Sequence, residues 1–146
     1  MPHAQTAQAG VDVTAPGLRH EPAERRRKSG PALRAFFAIA DRWKLDPQQQ
    51  RGLLGWPAKS TMYAWKSASD VTLPYDTLIR LSLLLGIFKA LDILYPEQAF
   101  ADGWVKMPNR NDVFGGRAPI DFMTQGGTGA LYDVRRLLDA RRGGWS

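Results

Sequence analysis

Along this chain the apolar residues come in bursts of helical spacing, each framed by helix-starting and helix-stopping residues. From Pro31, Leu33, Phe36, Phe37, Ala40 and Trp43 recur three and four residues apart, which predicts an amphipathic helix with Pro31 in its first turn. Asp46-Pro47-Gln48-Gln49 then supplies an N-cap, a proline at N1 and a glutamine at N3, so a short helix is expected to run to Leu53-Leu54 and to stop at Gly55. After Gly55-Trp56-Pro57 a third helix is expected from Ala58 to about Ser67, with Met62 and Trp65 turned inward. Leu73-Pro74 marks another entry. Beyond it, Leu78, Ile79, Leu81, Leu84, Leu85, Ile87, Phe88, Leu91 and Leu94 make an apolar surface too wide for one stripe. Residues 78–95 are therefore the central helix of the fold, with a break expected at Gly86, or a helix that shares its surface with a second copy of the chain. The fold class expected is all-α.

Composition narrows the picture. At 146 residues the chain can bury one modest core or two small ones sharing an interface. A formal net charge of +6 favours an acidic partner, whether nucleic acid, an anionic membrane surface or an acidic protein. The sequence has no cysteine, which rules out disulfides, thiol catalysis and cysteine-ligated zinc and fits a reducing cytoplasm. The first thirty residues contain no apolar core of a signal peptide, so a cytoplasmic location is expected. The apolar run at 78–95 carries Arg80, Lys89 and Asp92, which disfavours a membrane span. Residues 1–29 lack periodicity and close on Glu24-Arg25-Arg26-Arg27-Lys28. They are expected to be a disordered or loosely docked tail whose basic run either solubilises the chain or touches phosphate.

The candidate chemistry is binding. A short helix, a glycine-containing turn and a second helix are the parts of a helix-turn-helix, whose second helix meets a DNA groove. In that frame Lys59 and Lys66 neutralise phosphates, and Ser60, Thr61 and Tyr63 hydrogen-bond phosphates or bases. Many all-α proteins that never meet DNA also carry three short helices, so the pattern alone leaves both uses open. Gly52 to Thr61 ends like a phosphate loop in Lys59-Ser60-Thr61, but Ala58 precedes the lysine and no strand leads in, which sets nucleotide hydrolysis aside. The two histidines, His3 and His20, fall in the expected tail, and the carboxylates are scattered, so no catalytic set, metal site or cofactor is expected.

Taken in order, several segments resemble the Xre/MbcA/ParS antitoxin family. They are Leu53-Leu-Gly-Trp-Pro57, Thr61-Met-Tyr-Ala-Trp65, the helix Leu78 to Leu91, Trp104, Met107-Pro-Asn109, Phe114-Gly-Gly-Arg-Ala-Pro119 and Val134-Arg-Arg-Leu-Leu138. The match runs from about residue 31 onward; between Gly55 and Thr61 the chain is one residue longer than the family's usual spacing. The expected tail at 1–29 has no counterpart in the family; for the rest the resemblance implies a DNA-binding and dimerising helix-turn-helix domain at 30–100 and a toxin-binding domain at 101–146. It also implies a RES-domain toxin as partner, a NAD-consuming fold related to ADP-ribosyltransferases, together with operator DNA and a homodimer inside a toxin-antitoxin hetero-oligomer, with no membrane involved.

In that last domain Gly115-Gly116 permits a sharp turn, Pro119 opens a short helix that Gly126-Gly127 ends, and Thr128 is placed to cap the final helix. Leu131, Val134, Leu137 and Leu138 would form its buried stripe, leaving Arg135, Arg136, Arg141 and Arg142 mostly exposed near a terminus whose dipole favours cations. With Arg117 and Trp145 these arginines are the expected toxin-binding residues, suited to the site of an anionic pyrophosphate. The alternative is a stand-alone transcriptional regulator whose C-terminal domain only dimerises.

Overall fold

A computed structural model describes residues 21–68 and 70–143. Its elements are α1 (Pro22–Arg42), α2 (Pro47–Leu53), α3 (Lys59–Ser67), α4 (Tyr75–Leu94), α5 (Gln98–Gly103), a 3-10 turn (Trp104–Lys106), α6 (Pro119–Gln125) and α7 (Gly127–Gly143), with no strand among the described residues. The all-α expectation holds. Among the described residues no helix is long and apolar enough to cross a membrane.

α4 is the central helix. It buries Leu78, Leu81, Leu83, Leu84, Ile87 and Leu91, and packs most extensively against α7 and α1. Each such side chain contributes roughly 1.5–3 kcal/mol by leaving water. From α1 come Leu33, Phe36, Ile39 and Ala40; from α7, Leu131, Val134 and Leu138. One core cluster runs from Ala32 to Leu138 and so crosses the boundary expected at residue 100. Arg42 of α1 reinforces that crossing, since it forms an ion pair with Asp102 of α5 at 2.9 Å and lies over the Phe88 ring. The hydrogen bonds that Arg42 donates to Asp102, more than any other cause, raise the pKa of its guanidinium above the ordinary value.

Four local expectations are corrected. α1 begins at Pro22, so residues 22–29 are helical and not part of a tail. Periodicity misses them because only Lys28 and Ser29 in this stretch are buried; a tertiary bond fixes them instead. The Ser29 hydroxyl donates to the Arg25 carbonyl at 2.5 Å and accepts the N–H of Leu73, across the fold, at 2.8 Å. Pro31 consequently lies inside α1 rather than at its start. The helix passes through it although the Arg27 carbonyl loses its usual i+4 donor there. Gly86 does not break α4. Thr128 lies inside the first turn of α7, its hydroxyl 3.5 Å from the Asp76 carboxylate, and does not cap the helix. The expectations for residues 1–20, His3 and His20 included, and for Trp145 fall outside the described residues.

Both early helices end in Schellman turns. At the end of α1 the N–H of Leu45 reaches the Ala40 carbonyl and that of Lys44 the Asp41 carbonyl, with Lys44 at a left-handed φ of 55°. At the end of α2 the N–H of Trp56 reaches the Arg51 carbonyl and that of Gly55 the Gly52 carbonyl, with Gly55 at φ 92°. The start of α2 carries the expected capping box: the Asp46 carboxylate accepts from the Gln49 N–H at 2.7 Å, and the Gln49 side chain accepts from the Asp46 N–H at 3.0 Å.

Candidate functional site

Two cationic surfaces stand out, one on α3 and one on α7. In α3 only Met62 is wholly buried, while Trp65 packs half-buried against the core. Lys59, Tyr63 and Lys66 recur at i, i+4 and i+7, which places them on one stripe. Tyr63 is 52% exposed, and Lys59, Ser60 and Lys66 are exposed with it. Thr61 is half-buried, one residue from the inward Met62. The Lys66 ammonium also sits 5.4 Å from the centre of the Phe37 ring. The structure thus brings the five residues expected to meet DNA onto one short helix.

The basic run at Arg25–Lys28 is ordered and engaged. Arg26 makes a forked contact with Asp70 at 3.0 and 2.6 Å, Arg27 bonds Glu24 at 2.6 Å, and Lys28 is buried. The Arg26 hydrogen bonds, followed by its charge, hold the Asp70 carboxyl below the ordinary carboxylate range.

The expected toxin-binding arginines have unequal settings. Arg136 is exposed and bonds Asp133 one turn back at 2.6 Å. Arg135 is half-buried: its guanidinium lies across Gly86 of α4, where no Cβ intervenes, and pairs with Asp139 at 3.0 Å. Arg141 donates to the Tyr95 hydroxyl at 3.1 Å, and Arg142 stands 3.8 Å from Asp139. Arg117, away from α7, braces the Gly115-Gly116 turn. It donates to the Phe114 carbonyl at 3.3 Å and to Gln125 at 3.1 Å, over the Phe122 ring. Beneath it Trp104, Phe114 and Phe122 meet edge to face, with Phe114 fully buried. The loop closes through the N–H of Asn109 to the Arg117 carbonyl and that of Gly116 to the Asn109 carbonyl.

Sequence reasoning singles out neither Arg51 nor Trp56 as functional. Trp56 has a left-handed φ of 63°, rare for a residue other than glycine, and is 46% exposed. The glycines at 52 and 55 are the local sign that other parts of the chain press on this turn.

Comparison with known proteins bears on the C-terminal surface. A family model described as the antitoxin Xre/MbcA/ParS C-terminal toxin-binding domain matches residues 90–144. That span opens in the last turns of α4 and takes in α5, the glycine turn, α6 and α7. The uncharacterized protein y4oB of Sinorhizobium fredii (strain NBRC 101917 / NGR234) is 45% identical over 132 residues, covering 90% of this chain and 100% of the relative. No solved structure matches the chain significantly.

Proposed function

Because the chain belongs to the Xre/MbcA/ParS antitoxin family, we propose that it neutralises a RES-domain toxin by occluding its NAD site with α7 and the residues that follow, and that α2 and α3 bind its own operator. The coarser statement stands on the family: this is a type II antitoxin with a C-terminal toxin-binding domain. The observation that carries the finer reading is the extent of the match, 90–144, which ends on the arginine-bearing end of α7.

The chemistry is that of exchange. A site for NAD must receive a pyrophosphate, and guanidinium groups near a helix end are suited to occupy or flank it. Arg136 and Arg142 pair only with carboxylates of their own helix, and such exposed pairs contribute about 0–1 kcal/mol. Releasing them to a partner therefore costs little. Arg135 and Arg141, held on Gly86 and Tyr95, serve better as fixed parts of the surface. The antitoxin itself carries out no reaction under this reading, and it acts as a homodimer within a cytoplasmic toxin-antitoxin complex.

The test is co-expression with the toxin of the same operon. Removing the chain from Arg141 onward is expected to abolish protection and restore NAD loss while operator binding persists. A truncated chain that still protects cells and still blocks NAD loss refutes occlusion.

A further inference from the structure

The turn between α2 and α3 is held by α2 itself, by α4 and by α6 of the C-terminal part of the chain. Trp56 is pinned on three sides. Its backbone N–H donates to the Arg51 carbonyl at 2.7 Å. The Arg51 guanidinium lies 5.6 Å from its ring centre while Arg51 Nε donates to the Pro57 carbonyl at 2.9 Å. Its indole N–H donates to the Thr124 carbonyl of α6 at 3.2 Å. Beside it α2 and α6 approach so closely that a Cβ on Gly52 would stand 2.7 Å from the Thr124 Cβ.

A second strut reaches the same turn from α4. Arg80 passes under Gly55, where a Cβ would meet its Nε at 3.0 Å, and is tied to Asp76 at 2.9 Å. The other oxygen of Asp76 faces Thr128 in the first turn of α7. α3 begins three residues after Trp56, with no side-chain cap and only Met62 wholly buried. This turn therefore fixes where α3 starts, while Met62, Trp65 and the Lys66 contact with Phe37 seat the rest of the helix on α1 and the core.

We infer that Trp56 is a positioning residue for DNA reading: through the Thr124 carbonyl, α6 of the toxin-binding domain holds α3 at the angle that reads the operator. The inference rests on the proposed use of α3. Binding driven by phosphate charge tolerates a small change of helix angle, whereas hydrogen bonds to base edges do not. Loss of the indole donor thus acts on discrimination between sequences, and leaves general affinity for DNA in place.

The variant is Trp56→Phe, which keeps an aromatic ring beside Arg51 and removes the N–H. The purified full-length chain is titrated at one salt concentration into a labelled duplex from the region upstream of its own gene and into a scrambled duplex of equal length. Operator affinity is expected to fall roughly three- to tenfold, the effect of one neutral hydrogen bond. Scrambled-duplex affinity stays close to wild type, and the circular dichroism melt remains cooperative and falls by no more than a few degrees, the cost of the same bond to the fold. Lys59→Ala gives the contrasting signature, weakening both duplexes and lowering the salt slope by about one phosphate contact. Equal losses on both duplexes for Trp56→Phe would reduce its role to holding the fold and overturn the inference, and so would an unchanged operator affinity. A wild-type chain with no preference for the operator removes the DNA reading itself, and the positioning role with it.

Discussion

Replacing Gly52 by alanine is expected to destabilise the chain by about 1 kcal/mol, even though alanine is the better helix former by about 1 kcal/mol. The built methyl group would stand 2.7 Å from Thr124 Cβ, 2.8 Å from Thr124 Cγ2 and 3.0 Å from Trp56 Cζ2. A Cβ is fixed to its backbone and cannot swing aside, and the Thr124 hydroxyl is bonded to the Ile120 carbonyl at 2.9 Å, so α6 as a whole must move. Overpacking of this kind costs roughly 1–3 kcal/mol, which leaves a net loss of about 0–2 kcal/mol after the propensity gain. Gly86 is the control. There the built Cβ comes closer still, 2.0 Å from Arg135 Nη1, but the obstacle is the far end of a flexible side chain 36% exposed to solvent. Arg135 can lift away and keep Asp139, so Gly86→Ala is expected to be neutral or stabilising by up to about 1 kcal/mol. Urea unfolding followed by circular dichroism measures both, and in thermal melts 1 kcal/mol corresponds to about 3–6 °C for a chain of this size. A Gly86→Ala variant less stable than Gly52→Ala would refute the reasoning, because it would mean that distance alone decides and side-chain mobility does not.

Ser29→Ala should cost about 1–3 kcal/mol in urea unfolding, since it leaves the N–H of the fully buried Leu73 without its acceptor; a loss below a few tenths would show that the start of α1 is not held there. The Asp70 carboxyl, lowered by Arg26, adds stability above its unfolded pKa of about 4 and loses it as pH falls through the lower folded value. Both partners are exposed, so the effect is small and weakened by salt, and the stability difference between wild type and Asp70→Asn should vanish in acid; a difference that persists at about pH 2 contradicts the assignment.

What the sequence made legible is what neighbouring residues determine. The capping box of α2 is spelled by Asp46-Pro47-Gln48-Gln49, and the buried stripe of α7 by Leu131, Val134 and Leu138. The breadth of the apolar surface on α4 likewise announced that more than one helix covers it. What stayed hidden depends on distant partners. Pro22 to Ser29 show no apolar period because polar groups anchor them, the Ser29 hydroxyl on Leu73 and Arg26 on Asp70. Gly86 suggests a break until Arg135 is seen lying on it. The joint at Trp56 is equally silent, since Gly55-Trp56-Pro57 predicts a turn but neither the left-handed φ nor the bond to Thr124 is encoded nearby.

The two cationic surfaces differ in how their charge is held, and that difference bears on what each meets. Among the described ion pairs, all of those on α7 join arginine to an aspartate of the same helix, and none involves Lys59 or Lys66. The lysines of α3 can therefore turn to a polyanion without giving up an ion pair, and their mobile ammonium groups suit phosphates along a backbone whose exact placement varies. Arg135, Arg136 and Arg142 of α7 must instead trade a carboxylate for a new ligand, and Arg141 the Tyr95 hydroxyl. That trade favours a partner offering two oxygens in a fixed plane, as a pyrophosphate or a carboxylate does, over diffuse negative charge. A net charge of +6 read as one quantity points only to acidic partners; the contrast between the α3 lysines, which form no described ion pair, and the carboxylate-paired guanidiniums of α7 is what supports assigning them different partners under the proposed function.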